Sequence, residues 1–159
     1  MKNYWSNLGL SAGLFGLFLV STNLVAQTEM RWDKHGIGFT VPSDFKVSTN
    51  NKEVYTAENE HLILSISPIQ DEEISKENLE DAVLAMATAM EYESLDEADE
   101  ININDFTGYY IKGTRDDMYA VVMALMDKKS STNLLVVIAY DNDRFEEAVA
   151  IAKSFFAYD

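Results

Sequence analysis

Two apolar stretches near the end of the chain decide the fold: Met118-Tyr119-Ala120-Val121-Val122-Met123-Ala124-Leu125-Met126 and Leu134-Leu135-Val136-Val137-Ile138-Ala139-Tyr140. Neither stretch alternates between apolar and polar residues, which is typical of central strands covered on both faces. The polar segment between them, residues 127–133, is short. A parallel crossover needs a dozen or more residues. We therefore predict two adjacent antiparallel strands in the middle of a sheet.

Further strands are predicted on both sides of these two. Residues 30–41 are typical of a hairpin that turns at Lys34-His35-Gly36, because Ile37, Phe39 and Val41 alternate with smaller residues. The remaining predicted strands are Val47 and Val54-Tyr55-Thr56 around a turn at Asn50-Asn51, then 61–67 and 106–114. Pro42 and Pro68 follow short apolar runs, as expected at strand ends. Residues 91–100 carry six acids and no base, which favours a solvated loop.

Two amphipathic helices are predicted to cover this sheet. We expect the first to begin at Ser75, with an apolar stripe on Leu79, Val83, Met86 and Met90 and with Ala82, Ala85 and Ala89 beside it. The second is expected to begin at Asp143, because Glu146 follows three residues later as in a capping box. Its predicted stripe contains Phe145, Val149, Ala152 and Phe156, with Ala148 and Phe155 beside them. Together these elements predict an α+β fold, a three-layer α/β/α sandwich around a mostly antiparallel sheet.

The first 26 residues have the layout of a secretory signal. Lys2 precedes an apolar run at residues 8–20, and a polar stretch leads to the small residue Ala26. The run has 13 residues, whereas a membrane-spanning helix needs about 20. We expect cleavage after Ala26, export to the periplasm or the medium, and a single domain over residues 27–159. An uncleaved N-terminal anchor is the alternative.

The composition excludes several classes of protein. The chain of 159 residues carries 27 acidic and 12 basic residues, for a net charge of −15. Nucleic-acid binding depends mainly on Lys and Arg, so we expect no nucleic-acid partner. The absence of cysteine excludes disulfides, thiolate chemistry and a lipidated cysteine. Strong negative charge favours a soluble monomer that basic partners approach and anionic lipids repel.

The layout resembles the PsbP-like family of α/β/α sandwiches, which includes DcrB-type and Mog-type proteins. The matching features are four: Gly38-Phe39-Thr40-Val41-Pro42-Ser43-Asp44-Phe45, similar to the F-x-x-P-x-x-W/F start of the family; an acidic helix start after Pro68; Phe106-Thr107-Gly108-Tyr109-Tyr110; and Lys153-Ser154-Phe155-Phe156 at the last helix. The resemblance covers nearly all of residues 27–159. It implies a small, non-enzymatic accessory or binding domain. A specific role does not follow, because proteins that share a fold need not share a function.

The chain offers few candidates for catalysis. His35 and His61 are the two residues that could serve as a base near neutral pH, and we expect both to be solvated. Ser43, Ser65 and Ser67 supply hydroxyls, but none lies in a Gly-x-Ser-x-Gly elbow. No glycine-rich phosphate-binding motif is present, and Gly36-x-Gly38 fits the hairpin better. We therefore assign no catalytic or cofactor-binding residue and expect no enzyme; a His-dependent hydrolase remains a weaker alternative.

The sequence also offers few candidates for metal ligands. Calcium could be held by Asp96, Glu97, Asp99 and Glu100, or by Asp141-Asn142-Asp143, but neither segment has the spacing of an EF-hand loop. Met86 and Met90, and also Met118, Met123 and Met126, are more typical of core packing than of a Cu(I) site. We assign no metal ligand and no cofactor.

Two functional interpretations follow. The first is an exported, acidic, non-catalytic domain of the bacterial envelope that recognises a protein or envelope component, with residues 91–105 as its surface. The alternative is a small-ligand or calcium-binding protein, or an enzyme, with a pocket between the sheet and the helices. Electrostatic recognition predicts that affinity falls steeply as salt is added.

Overall fold

A computed structural model describes residues 25–70 and 74–158 of the chain. Within them, eleven strands and two α-helices follow one another along the sequence. In chain order they are β1 (Gln27–Trp32), β2 (Ile37–Pro42), β3 (Lys46–Asn50), β4 (Tyr55–Glu58), β5 (Leu62–Pro68), α1 (Leu79–Ala89), β6 (Ser94–Leu95), β7 (Asp99–Ile103), β8 (Phe106–Arg115), β9 (Met118–Asp127), β10 (Asn133–Asp141), α2 (Phe145–Lys153) and β11 (Phe156–Ala157). A 3₁₀ turn, Asn142–Arg144, leads into α2.

The main sheet has the order β3-β4-β5-β10-β9-β8-β6, and β7 also pairs with β8. All of these neighbours are antiparallel. The two apolar stretches form β9 and β10, which lie side by side with a paired neighbour on either side. The prediction of two central antiparallel strands is therefore confirmed. Pro42 and Pro68 end β2 and β5, as expected of a residue that cannot donate a ladder hydrogen bond.

A helix covers each face of the main sheet. On one face, α1 packs against β8 and β9, and the buried residues of this smaller core are Leu79, Val83, Ala87, Ile111, Val122 and Ala124. The other face carries α2 together with a small sheet of order β1-β2-β11. The larger core lies here and is rich in aromatic residues, among them Trp32, Phe39, Tyr55, Phe106 and Phe155. The predicted three-layer α/β/α sandwich is confirmed.

The end of the chain closes the small sheet. The amide of Tyr158 donates to the carbonyl oxygen of Gly36 at 2.8 Å, in the turn of the β1–β2 hairpin. Gly36 has φ +63°, and a Cβ there would collide with the carbonyl oxygen of Tyr158, so the turn requires glycine. The carboxylate of Asp105 accepts a hydrogen bond from the amide of Ala157 at 3.1 Å. The β7–β8 turn therefore holds the C-terminal strand in place.

The first helix differs from its prediction at the start and on one face. It begins at Leu79, because the side-chain oxygen of Asn78 accepts a hydrogen bond from the Ser75 amide and closes a separate turn before the helix. The buried alanine of α1 is Ala87, whereas Ala85 and Ala89 are exposed. The expectation that Ala85 and Ala89 lie beside the buried stripe, where small residues allow the helix to approach the sheet closely, is therefore wrong, although Leu79 and Val83 are fully buried as expected.

The second helix is shorter than predicted, and the side of it that faces the core differs from the predicted stripe. Asp143 lies in the 3₁₀ turn, and the start of α2 has no side-chain cap, so the predicted capping box is wrong. The helix ends at Lys153, which places Phe156 in a strand. The buried residues of α2 are Ala148, Ile151 and Ala152, while Phe145 is 40% exposed.

Two further predictions concern the acidic segment and the N-terminal residues. The acidic segment 91–100, predicted to be a loop, contributes β6 and the start of β7 to the sheet edge. Residues 1–24, and with them nearly all of the predicted signal, lie outside the described residues, so the signal stays a prediction. Among the helices of the described ranges, none is both long and apolar enough to span a membrane.

Candidate functional site

An open groove runs along the main sheet on the side that carries α2. It consists of two adjoining depressions of about 530 and 360 Å³, which share Lys112 and Phe145. We call this surface the groove. Its lining comes from residues 100–103 of β7, from Tyr110 and Lys112 on β8, from Tyr119, Val121 and Met123 on β9, from Tyr140 on β10, and from Phe145, Glu146 and Val149 on α2.

The groove is open because α2 is too short to cover the sheet. A helix of nine residues is about 13.5 Å long, since each residue adds about 1.5 Å. It packs on β10 and β2, and the neighbouring part of β7, β8 and β9 is left without a helical cover. The larger depression lies between these strands and the exposed flank of α2.

Aromatic side chains line one end of the groove. The rings of Tyr119 and Tyr140 are stacked with centroids 5.8 Å apart, and Phe145 lies 6.0 Å from Tyr140. Burial raises the pKa of the Tyr140 hydroxyl, so this side chain stays neutral at physiological pH. Tyr140 is only 4% exposed and forms the buried floor, whereas Tyr119 is half-buried and Phe145 is 40% exposed. The accessible rings can contact apolar side chains, and their faces can also attract a cation.

The charged residues that line the groove are three acids and two bases. Glu146 on α2 lies at the rim of the larger depression, and Glu100 lies at its β7 edge, where strand alternation turns the side chain towards the opposite face of the sheet. Lys112 projects between the two depressions, but its ammonium lies 3.1 Å from the carboxylate of Asp96. The hydrogen bond to Asp96 raises the pKa of Lys112, and the Asp96 carboxylate lies close enough to offset the charge of this ammonium. Lys153, at the end of α2, is a further base in the lining.

The segment predicted as a recognition surface, residues 91–105, forms one wall of the groove. It includes β6 and β7, and it carries seven acidic residues and no base: Glu91, Glu93, Asp96, Glu97, Asp99, Glu100 and Asp105. The hydroxyl of Tyr110 donates to the carboxylate of Asp99 at 3.4 Å, which joins the acidic wall to the aromatic lining. The structure thus places the acidic segment beside an apolar surface.

The two histidines lie apart from the groove lining. His35 packs on Trp32 with ring centroids 4.1 Å apart, and its Nε2 lies 2.7 Å from the carbonyl oxygen of Lys52. His61 Nδ1 lies 2.8 Å from Asp141 Oδ2, and both side chains are about two-fifths exposed. Within the described ranges, no hydrogen bond joins either histidine to the serine hydroxyls considered from the sequence.

The acidic residues considered as calcium ligands form ion pairs with other side chains and do not converge on one point. Asp96 pairs with Lys112, and Asp141 pairs with His61. Asp143 lies 3.7 Å from Arg144. Across residues 25–70 and 74–158, no three His, Asp or Glu side chains form a group that could hold a metal ion.

The methionines also lie apart. Met123 is fully buried in the larger core, whereas Met126 packs against the smaller core on the opposite face of the sheet. Met86 lies on α1 and Met90 directly follows it, and both are half-buried. Met118, in contrast, is 36% exposed, so the prediction of core packing is confirmed for Met123 and wrong for Met118.

A third depression, of about 500 Å³, lies on the other side of α2. Val25, Ala26 and Gln27 line it together with Pro42 and with residues of α2 that include Glu146 and Glu147. The predicted signal cleavage would remove Val25 and Ala26 from this surface. We do not include it in the groove.

Sequence reasoning did not identify the aromatic lining. The sequence pattern places Tyr140 among buried strand residues, which is confirmed, and Phe145 in the buried stripe of the last helix, which is wrong. No local sequence pattern identifies this lining, because its exposure depends on where α2 ends, and the structure ends that helix after nine residues.

The fold and the groove define a class of structure, an antiparallel α/β/α sandwich with one sheet face left partly open. No protein-family model and no curated protein matches the sequence. Among solved structures, the Ran-binding protein Mog1p of Saccharomyces cerevisiae is similar with a TM-score of 0.59 and 9% identity, over 85% of this chain and 97% of Mog1p. The Mog-type resemblance is therefore confirmed for the fold, and at this identity for the fold alone.

A second solved structure has a similar arrangement. It is a protein from Bacteroides thetaiotaomicron, with a TM-score of 0.50 and 10% identity over 84% of this chain. The match covers 48% of that protein, so the present chain corresponds to about half of its length.

Proposed function

We propose that this protein is an exported, non-catalytic binding domain whose groove recognises a basic segment of a protein partner at the cell envelope. The observation that carries the proposal is the combination of an aromatic lining with acidic residues on α2 and along the β7 edge of the same groove. Apolar contact supplies most of the affinity in protein interfaces, and charge complementarity supplies selection and orientation.

The charge of the whole chain supports a basic partner. A net charge of −15 attracts cationic surfaces at long range, while Glu100 and Glu146 lie where a bound Lys or Arg side chain could reach them. The Asp96–Lys112 pair leaves no net positive charge in the middle of the groove.

Two further observations support a binding role and export. Mog1p, which has this fold over nearly its whole length, is described as a Ran-binding protein, so the fold can serve protein recognition in at least that case. The layout of residues 1–26 supports delivery to the envelope. A soluble monomer of strongly negative charge suits this role.

The test begins with crosslinked affinity capture of the partner from the native envelope fraction, followed by calorimetry with the captured partner. The affinity is expected to fall at least about tenfold between low salt and about 0.5 M salt, because exposed charges are screened. The double variant Glu100→Lys with Glu146→Lys should lose at least about tenfold in affinity, since two attractive contacts become repulsive.

The matched control is Glu53→Lys, an exposed glutamate in the β3–β4 turn. This variant makes the same chemical change away from the groove, and we expect the same affinity as for the unmodified protein. A partner that binds equally well at both salt concentrations and to the double variant would contradict the proposal.

A further inference from the structure

We propose that the basic segment binds as an additional β-strand on the free edge of β7, with its side chains alternately apolar and basic. This inference rests on the proposed function and specifies how the groove is occupied. Addition of an extended segment to an open sheet edge is a general mode of peptide recognition, in which backbone hydrogen bonds give affinity and alternate side chains give selectivity.

The edge of β7 is open in the structure. In the part of the chain that is described, β7 pairs with β8 alone. The carbonyl oxygen of Lys112 accepts a hydrogen bond from the Asp96 amide, so it points to the side of β8 on which β6 and β7 lie. Strand alternation gives the backbone of Gly108 the same orientation. Ile101, the partner of Gly108 on β7, therefore directs its backbone groups to β8. The residues on either side of it, Glu100 and Asn102, direct their backbone N–H and C=O groups outward.

The groove reaches this edge. Four consecutive residues of β7, from Glu100 to Ile103, line the larger depression. The depression therefore borders β7 over four of its five residues. A strand added to the free edge of β7 would lie beside it.

The alternation of β7 sets the pattern expected of its partner. Ile101 and Ile103 point to the α2 face and contact the larger core, and Glu100 belongs to the opposite face. On the added strand, side chains beside Ile101 would be apolar and would enter the groove. The side chains beside Glu100 would be basic, because opposite charges on neighbouring strands are stabilising.

The acids of β7 also argue against a second copy of the same edge as the occupant. Asp99 and Glu100 are exposed at the start of β7, and each copy of the chain carries a net charge of −15. Charge repulsion between two such chains disfavours their association, and charged residues on an edge strand are a common protection against edge-to-edge pairing. A basic strand meets no such repulsion.

The opposite edge of the main sheet lacks these properties. β3 has a register irregularity between Val47 and Thr49, and it begins with Lys46. A bulge and a lysine both discourage strand addition. The β7–β8 ladder, in contrast, is continuous from Asp99–Tyr110 to Ile103–Phe106. The two edges therefore provide an internal comparison for the experiment.

The test uses a short synthetic peptide that alternates Lys and Val, together with two N-methylated versions of it. One version is methylated on the amides of every second residue, and the other on the amides of the remaining residues. One of these two sets would face β7. N-methylation removes a hydrogen-bond donor and adds bulk, while charge and side chains are preserved. The protein is used as the cell produces it.

We expect the unmodified peptide to bind and to slow the hydrogen exchange of the Glu100 and Asn102 amides, but not of the amides in β3. One methylated version should lose at least about tenfold in affinity through lost backbone hydrogen bonds, and the other should stay within about twofold. A peptide that alternates Glu and Val should not bind.

Equal affinity of both methylated versions, without protection of Glu100 and Asn102, would overturn strand addition. If Glu100→Lys still weakens binding in that case, recognition of a basic ligand by the groove stands. If the Lys–Val and Glu–Val peptides bind equally, or neither binds, strand addition of a basic segment is wrong. The proposed function is then judged separately, by the salt dependence and charge reversal measured with the captured partner.

Discussion

The two sides of the β8–β9 ladder are built from the same pair of strands but end in different environments. On one side, Ile111 and Val122 are fully buried beneath α1. On the other side, Tyr110 and Lys112 line the groove, because α2 does not reach over them. Alternation along the strands thus sends neighbouring residues either into a closed core or towards an accessible surface.

This difference distinguishes the residues that stabilise the fold from those that a partner could contact. A similar contrast exists between the helices, since Leu84 on α1 is 46% exposed and Phe145 on α2 is 40% exposed. Leu84 is exposed on a helix that closes its face of the sheet, whereas Phe145 is part of the groove lining. Exposure alone does not distinguish them; the neighbouring surface does.

The largest expected effect lies on the closed side. Replacement of a fully buried aliphatic side chain by alanine leaves a cavity and costs about 2–5 kcal/mol in the free energy of unfolding. We expect this for Ile111→Ala, with unchanged affinity for the basic peptide as long as the protein is folded. Urea denaturation and calorimetry on the same sample measure both quantities. Leu84→Ala is the control, with a loss of about 0.5 kcal/mol or less.

The next effect lies on the open side. Phe145→Ala removes an aromatic ring from the groove, and we expect about a tenfold loss in affinity, as for a moderately important interface residue. The cost in unfolding free energy should be about 1 kcal/mol, because the ring is only partly buried. A variant that loses stability but binds normally would remove Phe145 from the recognition surface.

The smallest expected effect concerns the turn that joins the groove wall to β8. The amide of Ala157, followed by Lys129, lowers the pKa of the Asp105 carboxyl. The carboxylate therefore stabilises the folded state above the usual pKa of an aspartate, about 4, and this contribution is lost as the pH falls further through the lowered value. Asp105→Asn should be less stable at neutral pH.

The difference between Asp105→Asn and the unmodified protein should shrink below about pH 4. Urea midpoints measured from neutral to acidic pH check this. A constant difference over the whole range would mean that the charge of Asp105 does not hold β11. The affinity for the peptide should be nearly unchanged.

The central architecture could be predicted from the sequence because its signal is local and strong. Continuous apolar runs in β9 and β10, joined by a short polar segment, leave few alternatives to adjacent central strands. Helix ends were predicted less well. Asn78 closes its own turn ahead of α1, and the 3₁₀ turn before α2 takes up Asp143, so both helices begin later than their capping signals indicate.

Part of the groove was also accessible to sequence reasoning. The run of acids in residues 91–105 indicated a charged surface, but its strand pairing with β8 depends on contacts between separate segments. The aromatic lining depends on where α2 ends and how it is rotated. Neither property is encoded in a local pattern, and a stripe drawn through Phe145 cannot show that its neighbour is a cavity.

The most direct test compares Phe145 and Leu84 as positions for a photo-crosslinking amino acid in the native host. Both side chains are large and partly exposed, and they lie on different helices. We predict a specific partner adduct from position 145 that excess Lys–Val peptide suppresses, and no such adduct from position 84. An adduct from position 84 that the peptide does not suppress, with none from position 145, would contradict recognition by the groove.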